Sequence, residues 1–399
     1  MKDIVILADF CGPFDGKFNS RFLYLADMLS KDNNVEIITS DFNHGSKKYF
    51  EHQAKESGYV VTMLHEGAYP TNVCWQRFYA HYIWGKSVRK YLRKRKKPDV
   101  IYCAIPTLQA SYEAAKYCQI NDIRFVIDVQ DLWPEAFQMI FHFPLISDII
   151  FLPFKSLANG IYKRADAICA VSDTYCQRAL SVNKKCKESL TVFLGTELAI
   201  FDKYVLERPI LEKKEGEIWV AYCGTLGSSY DLTAVIDALY IVSDEKIKFV
   251  VMGDGPRKKE FESYAKKKGV NAIFVGMLSY DVMCSLLASC DITVNPIAHM
   301  AAQSIINKHA DYAASGLPVI STQESSEYRK LVTDYDMGFN CKNGDAADIA
   351  EKILLLSGDE QLRKKMGANA RKCAEERFDR KNTYLELTQV ICSEKAINS

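Results

Sequence analysis

The sequence has no excess of charge: 51 Lys and Arg stand against 50 Asp and Glu, a net +1. That balance excludes the global basic pull of a nucleic-acid binder, and no nucleic acid is expected as a partner. Thirteen Cys are scattered without a C-x-x-C pair, which excludes the common zinc frameworks and points to reduced thiols in a cytoplasmic protein. No uninterrupted apolar run reaches membrane-spanning length. The greasiest segment, AFQMIFHFPLISDIIFLPF (136–154), is broken by Pro144, Asp148 and Pro153. No signal peptide is expected, because Met1-Lys2-Asp3 leads straight into a short strand pattern. Low-complexity tracts are missing. So is G-x-G-x-x-G followed by a ribose-binding acid, which disfavours a dehydrogenase using a dinucleotide.

What is present is alternation. DIVILA (3–8), VEIITS (35–40), VVTML (60–64), VIYCA (100–104), FVIDV (125–129), AICAV (167–171) and LTVFL (190–194) are apolar, β-branched runs separated by helical patterns. After a charged stretch, YVLERPILEKKEGE, the pattern restarts with IWVAYCG (218–224), KFVVMG (248–253), AIFVG (272–276), ITVNP (292–296) and PVIST (318–322). Near-continuous apolar strands alternating with helices predict parallel sheets covered on both faces. Two such runs, split near residue 205, predict two doubly wound α/β domains, 1–204 and 205–379. A last helical segment, 380–399, is expected to pack back toward the first. Ligands of open parallel sheets bind beyond the carboxyl ends of the strands, so two such domains would face each other across a cleft.

Four strand-end segments could hold an anionic ligand. DFCGPFDGKFNSR (9–21) offers Gly12 and Gly16 for close backbone approach and a helix start at Asn19–Ser20. CGTLGSSYDL (223–232) offers Gly224 and Gly227 with the hydroxyl of Thr225, and MGDGPRKKEF (252–261) turns at Gly253. Each also reads as an ordinary strand-to-helix turn. SIINKHADYAASGLPVIST (304–322) begins a helix after the fourth strand of the second run, with Lys308 on its first turn and Asp311 one turn on. A cation and a carboxylate at one helix start suit a diphosphate and a ribose. They also suit a solvated ion pair.

In this order, FNSRFLYLADMLS, VIDVQDLWPEAF, AICAVSDTYCQRAL, YCGTLGSSYDLTAVIDAL, VMGDGPRKKEF, IFVGMLSYDVMCSLLASCDITVNP and SIINKHADYAASGLPVIST resemble the retaining family 4 glycosyltransferases of GT-B fold. The likeness is to the bacterial capsule, exopolysaccharide and O-antigen branch, and it runs over nearly the whole chain. It implies donor contacts from Gly16, Gly224, Thr225, Gly253, Met277, Leu278, Gln303, Ser304, Asn307, Lys308, Asp311 and Glu327. The family's two acids separated by seven residues fall on Gln303 and Asp311, so the pair is altered at both ends. The family's phosphate-holding Arg and Lys near the glycine loop are replaced by Thr225 and Tyr230, and Lys308 would supply that charge. Asp131 is implied near the chemistry together with Lys308. Asn19, Arg21, His44, Arg77, His81 and Glu135 are implied on the acceptor side.

The resemblance implies transfer of a sugar, from a UDP-sugar, to a lipid-linked saccharide with retention, in surface polysaccharide synthesis. The one D-x-D, DYD (334–336), follows a helix as a turn would, so no metal and no cofactor beyond the nucleotide-sugar co-substrate are expected. The segment WQRFYAHYIWGKSVRKYLRKRKKP (75–98) carries nine Lys and Arg and no acid, interleaved with aromatics. It predicts a helix lying on the inner face of the cell membrane through Trp84, Arg89, Lys90, Arg93 and Lys94. A merely solvated basic helix is the plainer alternative. Two other readings of the whole stay open: an epimerase of nucleotide sugars on the GT-B fold, and a non-catalytic sugar-nucleotide-binding protein.

Overall fold

The structure, a computed structural model, describes residues 1–12, 14, 20–50, 58–72, 74–135, 144–207, 213–299, 301 and 305–395, with backbone alone at 144–148. It resolves into two compact units, Met1–Phe193 with Tyr384–Ser399, and Leu194–Thr383.

The first unit is built on β1 (Asp3–Leu7), β2 (Asn34–Ser40), a small antiparallel hairpin of β3 (Phe42–Asn43) and β4 (Lys48–Tyr49), β5 (Val60–Leu64), β6 (Val100–Ile105), β7 (Arg124–Val129), β8 (Ala167–Ala170) and β9 (Glu188–Thr191). Seven of them form a parallel sheet in the order β5-β2-β1-β6-β7-β8-β9. Both faces of its central strands are apolar, and both are covered. Val5, Leu7, Ile101, Cys103 and Ile127 pack with the helices Trp75–Lys94, Leu108–Asn121 and Pro144–Tyr162. Ile4, Ile6, Val100, Tyr102 and Val126 pack with the helix Arg21–Leu29 and with Tyr384, Leu387 and Ile391 of the chain's last helix, Arg380–Cys392.

The second unit repeats the scheme with β10 (Ile218–Cys223), β11 (Ile247–Met252), β12 (Ala272–Gly276), β13 (Ile292–Asn295), β14 (Val319–Ser321) and β15 (Gly338–Asn340), in the order β12-β11-β10-β13-β14-β15. All of its pairings are parallel. β15, only three residues long and containing Gly338, carries no apolar run, and the β3–β4 hairpin is shorter still. Neither has a sequence signature.

Two expected site residues belong to the scaffold instead. Arg21 is buried, and its guanidinium grips both oxygens of buried Asp128 at 2.9 and 3.2 Å. Nη1 also donates to the carbonyls of Val192 and Phe193 and to the Tyr384 hydroxyl. With its donors spent on the sheet and the C-terminal helix, Arg21 is a tie rather than an acceptor contact. Trp84 is 1% exposed and lies in the core under the Trp75–Lys94 helix, so it faces the sheet and not a membrane. Its aromaticity alone could not tell which helix face it occupies.

Candidate functional site

In the second unit the loops after β10, β11 and β12 are laced edge to edge. Gly224 N–H donates to the Met252 carbonyl at 2.9 Å, and Gly253 N–H to the Gly276 carbonyl at 2.8 Å. Gly253 has φ +144°, and a Cβ there would stand 1.9 Å from the Gly224 oxygen, so no other residue fits. Gly253 thus secures the turn by backbone approach. Gly224, Thr225, Met277 and Leu278 follow the carboxyl ends of β10 and β12, Lys308 and Asp311 follow β13, and Glu327 follows β14. One edge of one sheet carries them all. Thr225, Asn307 and Met277 are exposed, and Leu278 and Glu327 are half-buried. Gln303, Ser304, Gly16 and Asn19 lie outside the described residues.

The helix Asn307–Ala314 begins without a capping oxygen, since its N-cap is Ile306. His309 substitutes: its Nδ1 accepts the Ile306 N–H at 3.2 Å, and its Nε2 lies 3.2 Å from the Asn295 side-chain amide. The ring is stacked on Tyr328 at 3.6 Å and 9°. Burial holds its pKa well below the usual histidine value, which keeps it a neutral acceptor. His309 therefore locks the start of the helix that presents its neighbour.

That neighbour, Lys308, is 7% exposed. Its Nζ sits 3.8 Å from the Tyr230 ring centre and 4.6 Å from that of Tyr222, and among the described residues it has no hydrogen-bond partner. Its stem runs beside Gly224, where an added Cβ would stand 3.9 Å from Lys308 Cδ. Burial drives its pKa well below the lysine norm. Asp311, one turn on, is half-buried, and its Oδ1 accepts the Tyr280 hydroxyl at 2.8 Å. Because Tyr280 donates there, the Thr196 hydroxyl 2.6 Å away donates to Tyr280 in turn. Desolvation raises the Asp311 pKa to about 6, against the lowering effects of Tyr280 and Arg380.

In the first unit the strand-end residues gather around aromatic rings. Asp131 Oδ1 accepts the Leu132 N–H at 2.9 Å and Oδ2 the Trp133 indole N–H at 3.1 Å, and burial raises its pKa. Those bonds bind Asp131 to its own turn. Glu135 is paired with Arg178 at 2.6 Å. Trp133 stacks on His81 at 5.5 Å and 25°, with the Arg77 guanidinium 4.7 Å from its ring centre. Arg77 also lies over Phe10 and Tyr69, and His44 Nδ1 is 2.6 Å from the Tyr69 hydroxyl. Burial, with the charges of Arg77 and Lys47, lowers His44 to about 4, and burial with Arg77 and His44 lowers His81 to about 3. The structure thus brings His44, Arg77 and His81 together and adds Asp9 and Glu66, which no sequence motif marks. Only their positions just past apolar strands could have flagged them.

Residues 206–373 match the family model described as Glycosyl transferases group 1. The uncharacterised glycosyltransferase MJ1178 of Methanocaldococcus jannaschii is 28% identical over 138 residues, 34% of this chain and 37% of its own. The capsular polysaccharide biosynthesis glycosyltransferase CapM of Staphylococcus aureus is 24% identical over 235 residues, 56% of this chain and 60% of its own. The chain therefore spans less than two thirds of the length of either relative. Anabaena HepE, solved in complex with UDP, superposes with a TM-score of 0.71 at 16% identity, over 97% of this chain and 99% of its own. Likeness at that identity speaks for the fold alone. The chain has the GT-B fold, and residues 206–373, within its second unit, match the group 1 glycosyl transferases.

Proposed function

We propose that the protein is a retaining glycosyltransferase of the family 4 type, using a UDP-sugar as donor and a lipid-linked saccharide as acceptor in surface polysaccharide assembly. The observation that carries the proposal is Lys308: a buried ammonium without a hydrogen-bond partner among the described residues, beside the glycine turn, at the start of a helix. A bare buried cation is costly unless an anion meets it. A departing diphosphate, flanked by the Gly224 turn and the helix start, is the anion the family match favours. Stabilising that leaving group lowers the barrier as the sugar becomes oxocarbenium-like, and it asks for no metal at these loops. Asp311, held by Tyr280, takes a ribose hydroxyl. Asp131 is a positioning residue for the Trp133 turn on the acceptor side.

Membrane attachment is the second part of the proposal. Among the described residues no helix is long and apolar enough to cross a bilayer. Arg89, Lys90, Arg93 and Lys94 are exposed on the Trp75–Lys94 helix, as are Trp75, Tyr79 and Tyr82. Phe78 of that helix lies 5.1 Å from Phe154, in the helix that exposes Ile149, Ile150 and Leu152. Cations beside exposed apolar side chains suit an anionic lipid surface. The test is a thermal-shift panel of UDP, GDP, ADP and CDP, followed by transfer assays with UDP-sugars. Stabilisation by UDP, lost in Lys308→Ala, is expected; a panel in which no nucleoside diphosphate moves the transition would overturn the donor assignment.

A further inference from the structure

We infer that Asp9, Glu66 and His81 form a site for one divalent transition-metal cation at the carboxyl edge of the first unit's sheet. Asp9 lies two residues past β1, Glu66 two residues past β5, and His81 on the second turn of the Trp75–Lys94 helix. Their ligand atoms lie within 4.8 Å of one another, with His81 Nε2 at 3.8 Å from Glu66 Oε1. The three residues are 4%, 0% and 4% exposed, and among the described residues both Asp9 oxygens, Glu66 Oε1 and His81 Nε2 lack a hydrogen bond of normal geometry.

Three buried ligand atoms within 4.8 Å of one another, one from each residue, form an arrangement that a cation satisfies. A water brings two hydrogens and would leave ligand atoms unmet. Arg77 offsets the charge of the pair only from a distance. Among the described residues its guanidinium forms no ion pair with either carboxylate; it lies over Phe10, Tyr69 and Trp133 and donates to the Asn72 carbonyl. The ligands are held from behind, as metal ligands are. The Ser40 hydroxyl donates to Glu66 Oε2 at 2.6 Å and turns Oε1 inward, and Trp133 fixes the His81 ring by stacking. An imidazole with two carboxylates suits zinc or manganese better than magnesium or calcium, which prefer oxygen alone. The bound ion would pin the ends of β1 and β5 to the helix that carries Arg77.

This site stands apart from the donor loops, and its test reads no nucleotide binding. Full-length protein is stripped with EDTA, and Mn2+ and Zn2+ uptake are followed separately by calorimetry, with Mn2+ electron paramagnetic resonance to detect a nitrogen ligand. One equivalent per chain, a histidine nitrogen coupling and a raised Tm are expected. Glu66→Gln and His81→Ala should each weaken binding about tenfold or more. Where a variant fails to fold, the nitrogen coupling in the unaltered protein still decides. Uptake without that coupling, as at surface thiols, would overturn the site. So would no uptake at all, the result if the two carboxyls share a proton instead.

Discussion

The Lys308 ammonium rests 3.8 Å from the centre of the Tyr230 ring and finds no hydrogen-bond acceptor among the described residues. The ring faces return about 2 kcal/mol at most, while an unmet buried polar group costs about 1–3 kcal/mol and a charged one more. The position is therefore tuned for something other than stability.

Lys308→Met should accordingly raise stability by roughly 1 kcal/mol while weakening UDP binding about tenfold or more. Urea unfolding and calorimetry measure the two. The sign of the pH effect follows from the depressed lysine pKa: the unfolded chain binds the extra proton, so unaltered protein gains stability as pH rises toward 10.5. The methionine variant should lose that gain.

Asp311 titrates in the opposite sense. Its folded pKa of about 6 lies above the ordinary carboxyl value of 3.8, so the protonated form is favoured by folding. Stability from this group is fully present below about pH 4 and is lost as pH rises through 6, on the order of 2–3 kcal/mol. Asp311→Asn should flatten the stability profile between pH 4 and 6. UDP affinity in the unaltered protein should rise over the same interval as the ribose-facing carboxylate ionises.

Removing one partner of the Arg21–Asp128 pair strands a buried charge. Arg21→Met should cost about 3–5 kcal/mol by urea unfolding, and Arg21→Met with Asp128→Leu should recover part of it. An effect on acceptor KM without loss of stability would restore Arg21 to a ligand role.

The basic helix separates two behaviours on its two faces. Replacing Arg89, Lys90, Arg93 and Lys94 by Gln should release the protein from anionic vesicles in a sedimentation assay, at about 1 kcal/mol per charge, with Tm unchanged. Trp84→Ala should instead cost about 3–5 kcal/mol of stability through the cavity it leaves. Equal vesicle binding by the Gln variant would remove the membrane assignment.

Strand positions were legible because buried parallel strands are written as continuous apolar runs; VVTML and AIFVG coincide with β5 and β12 to the residue. β15 and the β3–β4 hairpin were not, since GFN, FN and KY contain no β-branched apolar run. The donor loops could be placed because each is a short run directly after an apolar strand. The grouping of Asp9, Glu66 and His81 could not, because 56 and 14 intervening positions separate them and only the strand order β5-β2-β1 draws the first two together. Arg21 misled for a physical reason: a charge near a helix start looks the same in sequence whether it meets a ligand or a buried aspartate.

Arg21 Nη1 touches both the Phe193 carbonyl and the Tyr384 hydroxyl, at 3.1 and 3.0 Å. Those are the last residue before the chain leaves the first unit and the first residue after it returns. The second unit is therefore an insert, carried within a host whose two severed edges already meet at one guanidinium. Lys2 and Cys392 meet as well, Lys2 Nζ donating to the Cys392 carbonyl at 2.7 Å. Excising residues 194–383 and bridging the gap should leave a self-sufficient module, whereas a fragment ending at 193 would lack the Tyr384, Leu387 and Ile391 that close its sheet.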